Sequence, residues 1–151
     1  MPITAHINRI AVGVPPHDVH LAFLRFAESL LQENRITQAV FRRMAARSGI
    51  EHRYSCLPLM PNWETGSTLD AEQLYKRGHF ASTAARMRVF EARAPELAVT
   101  TIGRLGIEEE RDRITHLIIT SCTGFFTPGL DLQVVEQCGG RSLMVSPQTA
   151  A

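Results

Sequence analysis

Apolar positions alternate through Ile10, Val12 and Val14, and Pro15-Pro16 ends the run, so residues 7–14 predict a short strand. The period then changes. Val19, Ala22, Phe26 and Leu30 fall on one helical stripe that Leu21, Phe23 and Leu24 widen, predicting a helix over 19–31 in contact on two sides, with Asp18 as its cap. Asn34-Arg35 breaks the pattern. Thr37 is placed to cap a second helix that reaches Arg47 and stops at Ser48-Gly49. Residues 53–57 predict a short strand, 58–67 an irregular loop holding Pro58, Pro61, Trp63 and Gly66, and 70–75 a helical turn. The longest helical pattern covers 80–105, where Pro95 predicts a kink or a split and Gly106 a stop. Residues 108–113 read as a charged surface turn. The β-branched run Ile114, Leu117, Ile118, Ile119 reads as a buried strand, and 130–137 as a helix. A strand start at 141–145 is interrupted by Ser146-Pro147.

Strands and helices interleave, which predicts a layered α/β fold with too few strands to bury every apolar helix face. No internal repeat, low-complexity segment or domain boundary stands out. The 151 residues suffice for one domain, and 44% apolar with 21% charged residues is ordinary for a soluble globular chain. A net charge of +1 gives no general attraction to nucleic acid or acidic membranes. No apolar run is long enough to span a bilayer, and residues 1–9 lack the order of a secretory signal. Cys56, Cys122 and Cys138 are odd in number and widely spaced, which argues against a disulfide framework or zinc site and fits a reducing cytoplasm. His17 and His20 straddle a helix start without a third ligand, so no metal site is expected there.

The most informative stretch is 114–129. An apolar strand stops at a loop of small polar residues, Thr120-Ser121-Cys122-Thr123-Gly124, before Pro128-Gly129 opens the next helix. Sheets of this kind place ligands at such strand ends. The same stretch, with Ile114-Thr115-His116-Leu117 before it and Leu130-Asp131-Leu132-Gln133 after, resembles type III polyketide synthases, the chalcone and stilbene synthase family of the thiolase superfamily. Phe41-Arg42-Arg43-Met44, Arg47-Ser48-Gly49-Ile50 and Arg53-Tyr54 resemble that family in the same order, and the likeness runs from about Ile7 to Gln137. The Thr-Ser-Cys-Thr-Gly form is closer to bacterial members than to plant chalcone synthases.

The resemblance implies the N-terminal half of a thiolase-like αβαβα layered fold, incomplete, with residues 1–138 as the synthase N-terminal domain and 139–151 as a divergent tail. It implies a homodimeric acyltransferase that condenses an acyl-CoA starter with malonyl-CoA by decarboxylative Claisen chemistry, with no separate cofactor. The family's catalytic Cys-His-Asn set carries over onto no residue here. The chain stops at Ala151, about where the nucleophile is expected, so it reads as an N-terminal piece that is inactive alone. Arg43 and Arg47 are expected to contact coenzyme A phosphates, against a plain solvated face. Cys122 is expected to line the acyl cavity, against an inert buried thiol or a nucleophile. Thr123 is a further cavity residue. Thr127 either reaches across the dimer interface into the partner's cavity or is a simple turn residue. Cys56 and Cys138 read as small core residues, and Asp131 as a carboxylate favouring its helix's positive end. Other readings are a dimerising interaction fragment of a full-length synthase, or a domain that binds coenzyme A esters. Uncovered apolar faces predict low solubility when the chain stands alone.

Overall fold

The computed structural model describes residues 4–139 and the backbone of residues 144–148. Its contacts separate Val14–Arg86 from a second unit formed by the residues up to Gly13 together with Met87 onward.

The Val14–Arg86 unit starts from Asp18. Strand β1 (His17–Asp18) leads into helix α1 (His20–Ser29). The N-cap position is Val19, which has no capping side chain, so the cap expected of Asp18 arrives from one residue further out. Its carboxylate accepts from the His20 N–H at 3.1 Å, the Arg53 N–H at 3.3 Å and His52 Nδ1 at 2.6 Å. It thereby satisfies a helix-end donor and ties the helix to the approach of β2 (Tyr54–Ser55), which pairs antiparallel with β1. Helix α2 (Arg35–Arg47) is capped by Asn34, whose side chain accepts from the Thr37 N–H at 3.0 Å. The cap is therefore Asn34 rather than Thr37, because Asn34 takes the extended backbone a cap needs while Thr37 is already helical. Gly49, at φ +65°, ends the helix as expected.

Residues 70–75 form no helical turn. Asp70 folds its own side chain back instead, and its carboxylate accepts from the Leu74 and Tyr75 N–H groups at 3.1 and 2.8 Å. That turn feeds a hairpin of β3 (Tyr75–Lys76) and β4 (His79–Phe80), with Gly78 at φ +70° in the tight connection. Asp70 is only 2% exposed. Next to it lies the small core of Ala22, Phe26 and Leu69, flanked by Phe23, Leu59 and Trp63. Arg77 covers this core, with its guanidinium carbon 4.8 Å from the Phe26 ring centroid while its nitrogens donate to Gly66 O and Ser29 Oγ.

Helix α3 (Thr83–Gly103) runs unsplit through Pro95, which is buried. In the second unit it is followed by a 3-10 helix (Glu108–Arg113), β5 (His116–Thr120), α4 (Leu130–Gln137) and β6 (Met144–Gln148). β5 and β6 pair in parallel, with Ile118 opposite Ser146, so β5–α4–β6 is a crossover unit. Two expectations change here. β5 is not buried on both faces, because Leu117 and Ile119 turn inward while Ile118 is 65% exposed. Ser146-Pro147 does not interrupt the last strand, since a proline is tolerated where only one strand edge is paired. Residues 141–143 of the expected strand start lie outside the described residues. No strand forms over 7–14 either. Ile7 and Ile10 are 81% and 78% exposed. The segment is instead held by arginines: Arg9 donates to Leu105 O and Gly106 O and pairs with Glu110, and Arg104 donates to Val12 O at 2.8 Å.

Two predictions follow from these polar clasps. Asp70→Ala leaves two part-buried N–H groups without their acceptor and should lower unfolding stability by about 1–3 kcal/mol, read from the urea midpoint. The Asp18–His52 pair should make stability depend on pH. The carboxylate, accepting from the imidazole, raises the pKa of His52, and that hydrogen bond lowers the pKa of Asp18. The contribution from His52 is full below about pH 6.5 and fades as pH rises through its raised folded value. The contribution from Asp18 is full above about pH 4 and fades as pH falls through its lowered folded value. The stability difference between wild type and His52→Ala should therefore peak between those limits and shrink on both sides.

Candidate functional site

Arg43 and Arg47 lie one turn apart on α2, so the helix brings both guanidinium groups to one side. Both are exposed, and with Val40, Met44 and Ser48 they line an open groove of about 550 Å³. Arg42, by contrast, is paired with Glu28. The result is an apolar strip bordered by fixed positive charge, an arrangement that accepts an anionic group joined to an apolar or aromatic body.

The loop after β5 is built by close approach. A Cβ placed on Gly124 would lie 2.0 Å from Phe90 Cδ1, so the ring occupies the space a side chain would need. Phe90 also meets Phe126 edge-on, with centroids 5.9 Å apart, and the Phe125 N–H points at Met87 Sδ at 3.4 Å. Gly129 sets the entry to α4: a Cβ there would lie 2.3 Å from Asp131 Oδ1. Asp131 occupies the first turn of α4, where the backbone dipole favours a carboxylate.

On this framework Cys122, Thr123 and Thr127 are all exposed. Among the described residues no hydrogen bond or ion pair engages its sulfur, and the ring of His116 meets the Thr115 hydroxyl at 2.8 Å. Cys56 and Cys138 are half-buried. Cys138 borders an apolar cavity of about 150 Å³ with Ile102, Leu117 and Val134, and its carbonyl accepts from Arg111 at 2.7 Å. Among the described residues no His, Cys, Asp and Glu set is placed to hold a metal ion, and no helix is long and apolar enough to cross a membrane. The arginine pair lies in the Val14–Arg86 unit and the three loop residues lie in the other.

Comparison with known structures places this architecture. A fungal type III polyketide synthase, ORAS, superposes with a TM-score of 0.67 at 22% identity, over 95% of this chain and 36% of its own. PKS-I from the brown alga Ectocarpus siliculosus gives 0.63 at 20% identity, over 93% and 38%. The fold is that of the type III polyketide synthases. CsyB, whose structure is a complex with CoA-SH, gives 0.60 at 21% identity, over 94% and 36%. The chain thus spans a little over a third of the length of these synthases. No protein-family profile matches it, and no curated protein does. The mixed helix and strand architecture expected from the sequence is the one observed, over part of the synthases' length.

One set of residues escaped the sequence reading. Arg53, Tyr54 and Tyr75 gather with Phe23, Leu69 and Asp70 around a groove of about 420 Å³ in the Val14–Arg86 unit. An acidic residue at a turn start was the available signal for Asp70, but nothing in the spacing joins residues 23, 53 and 75. For the loop after β5, Gly124→Ala should cost about 1–3 kcal/mol through overpacking against Phe90. The accompanying change should be visible as displaced Phe90 and Phe126 ring resonances, whereas a neutral substitution would mean that the ring contact does not shape this loop.

Proposed function

We propose that this chain is the N-terminal part of a type III polyketide synthase, an acyltransferase that condenses an acyl-CoA starter with malonyl-CoA. The observation that carries this reading is the synthase fold along nearly the whole chain, together with two exposed guanidinium groups on one side of α2. Arg43 and Arg47 hold the phosphates of a coenzyme A ester, a task suited to charges that do not titrate. The presence of CoA-SH in the related CsyB complex supports this assignment. Cys122 and Thr123 border the acyl cavity, and Thr127 faces a second subunit in a homodimer. In the overall reaction malonyl-CoA loses carbon dioxide, its α-carbon attacks the starter thioester, and the starter's thiolate leaves. No described residue is assigned the nucleophile. Among the described residues no hydrogen bond or ion pair engages the Cys122 sulfur to stabilise a thiolate, and the chain alone is taken as inactive.

A second reading has its own observation. Phe125 is 71% exposed on the loop that carries Thr127, a large apolar side chain on a surface suited to docking on a full-length synthase. Co-purification with an intact synthase, lost on Phe125→Ser, supports that role; a monomer in its presence removes it.

The primary reading is tested by titrating the chain with coenzyme A. Exchanging Arg43 and Arg47 together for Ala should weaken binding by about tenfold or more, and raised salt should weaken the wild type in the same direction. Incubation with malonyl-CoA and a fatty acyl-CoA should release no carbon dioxide above background. Turnover abolished by Cys122→Ala would instead make that thiol the nucleophile.

A further inference from the structure

Away from the arginine pair of α2, the groove between α1, β2 and the β3–β4 hairpin has the build of a small-molecule site. Its volume of about 420 Å³ falls within the roughly 300–1,000 Å³ typical of such sites. Its lining is mainly apolar and aromatic, with Leu57 and Leu69 buried and Phe23, Tyr54 and Tyr75 contributing rings. Two charges stand among them. Asp70 is buried, and its oxygens already accept from two backbone N–H groups. The guanidinium carbon of Arg53 lies 5.5 Å from the Phe23 ring centroid, and Phe23 meets Tyr75 edge-on at 5.8 Å. Among the described residues no carboxylate lies within ion-pair distance of Arg53. A half-buried arginine with its stem packed on an aromatic ring, in an apolar groove and without an acid partner, is set to take an anionic group.

We propose that this groove binds a small organic acid: a monocarboxylate with an aromatic or branched aliphatic body. The carboxylate pairs with Arg53, whose planar fork matches it in two parallel hydrogen bonds. The body lies on Phe23, Leu57 and Tyr75 and takes their apolar surface out of water. A single cation, in a groove that also holds the Asp70 carboxylate, disfavours a doubly charged phosphate, and the apolar lining gives inorganic anions nothing beyond the single charge.

The test uses the full chain and phenylacetate as probe, followed by calorimetry and by amide shifts. Phenylacetamide serves as the neutral isostere, and inorganic phosphate and phenethylamine as charge controls. Saturable phenylacetate binding that moves the Leu57 and Tyr75 amides is expected, with phenylacetamide weaker by about tenfold. Arg53→Met keeps the stem and the backbone bonds to Asp18 and Val19 while removing the charge, and should weaken phenylacetate to a similar extent; Arg53→Lys should retain part of the affinity. Equal binding of acid and amide, equal binding of phenethylamine or phosphate, no saturable binding of phenylacetate, or undiminished binding by Arg53→Met each overturns the proposal. The acid–amide comparison uses only the wild-type chain, so it decides the matter even if the variants misfold.

Discussion

Parallel strands have no face suited to water: their stability comes from apolar layers packed on both sides. In the second unit α4 packs against β5, where Leu117 lines the cavity beside buried Val134 and Ile119 is half-buried. The other side carries Ile118 in the open. The same shortage recurs at Ile7 and Ile10, along Ile36, Val40 and Met44 on α2, and at Phe125. The chain carries more apolar surface than its own layers cover. Layered α/β folds resolve that imbalance with further helices and strands, and the synthases that share this fold are about two and a half times as long.

Where apolar layers run short, polar contacts fix the geometry. In the Val14–Arg86 unit the fully buried side chain is a carboxylate rather than a hydrocarbon, and it defines the turn ahead of the hairpin. Arg77 joins the 64–66 loop, α1 and the hairpin through one guanidinium. In the other unit Arg9 and Arg104 hold an extended segment that no strand pairs. Such contacts are directional, so they specify local geometry well; each stabilises by far less than a layer of buried leucines.

That division explains what the sequence made legible. Helices with periodic faces were readable: α2 and α4 fall where the pattern and their stop signals put them. The element after Asp70 was misread because a local side-chain hydrogen bond outcompeted the weak helical pattern. Residues 7–14 alternate as a strand should, yet alternation describes one strand and pairing requires two. The two faces of β5 could not be told apart in a run of four β-branched or leucine residues, because exposure depends on which layers surround it. In the candidate site, Arg43 and Arg47 were legible through helical spacing. The Arg53–Asp70 groove was not, since its residues are joined only by the fold.

Charge and thiol chemistry separate the roles these residues can take. A guanidinium stays protonated at any physiological pH, so Arg43 and Arg47 need no neighbour to attract a phosphate. A thiol becomes a nucleophile only when something stabilises its thiolate: an imidazolium, a guanidinium or the N-terminus of a helix. Cys122 sits exposed between a strand end and a proline turn; among the described residues none of these is bonded to it, and its neighbours Ser121 and Thr123 bond to each other instead.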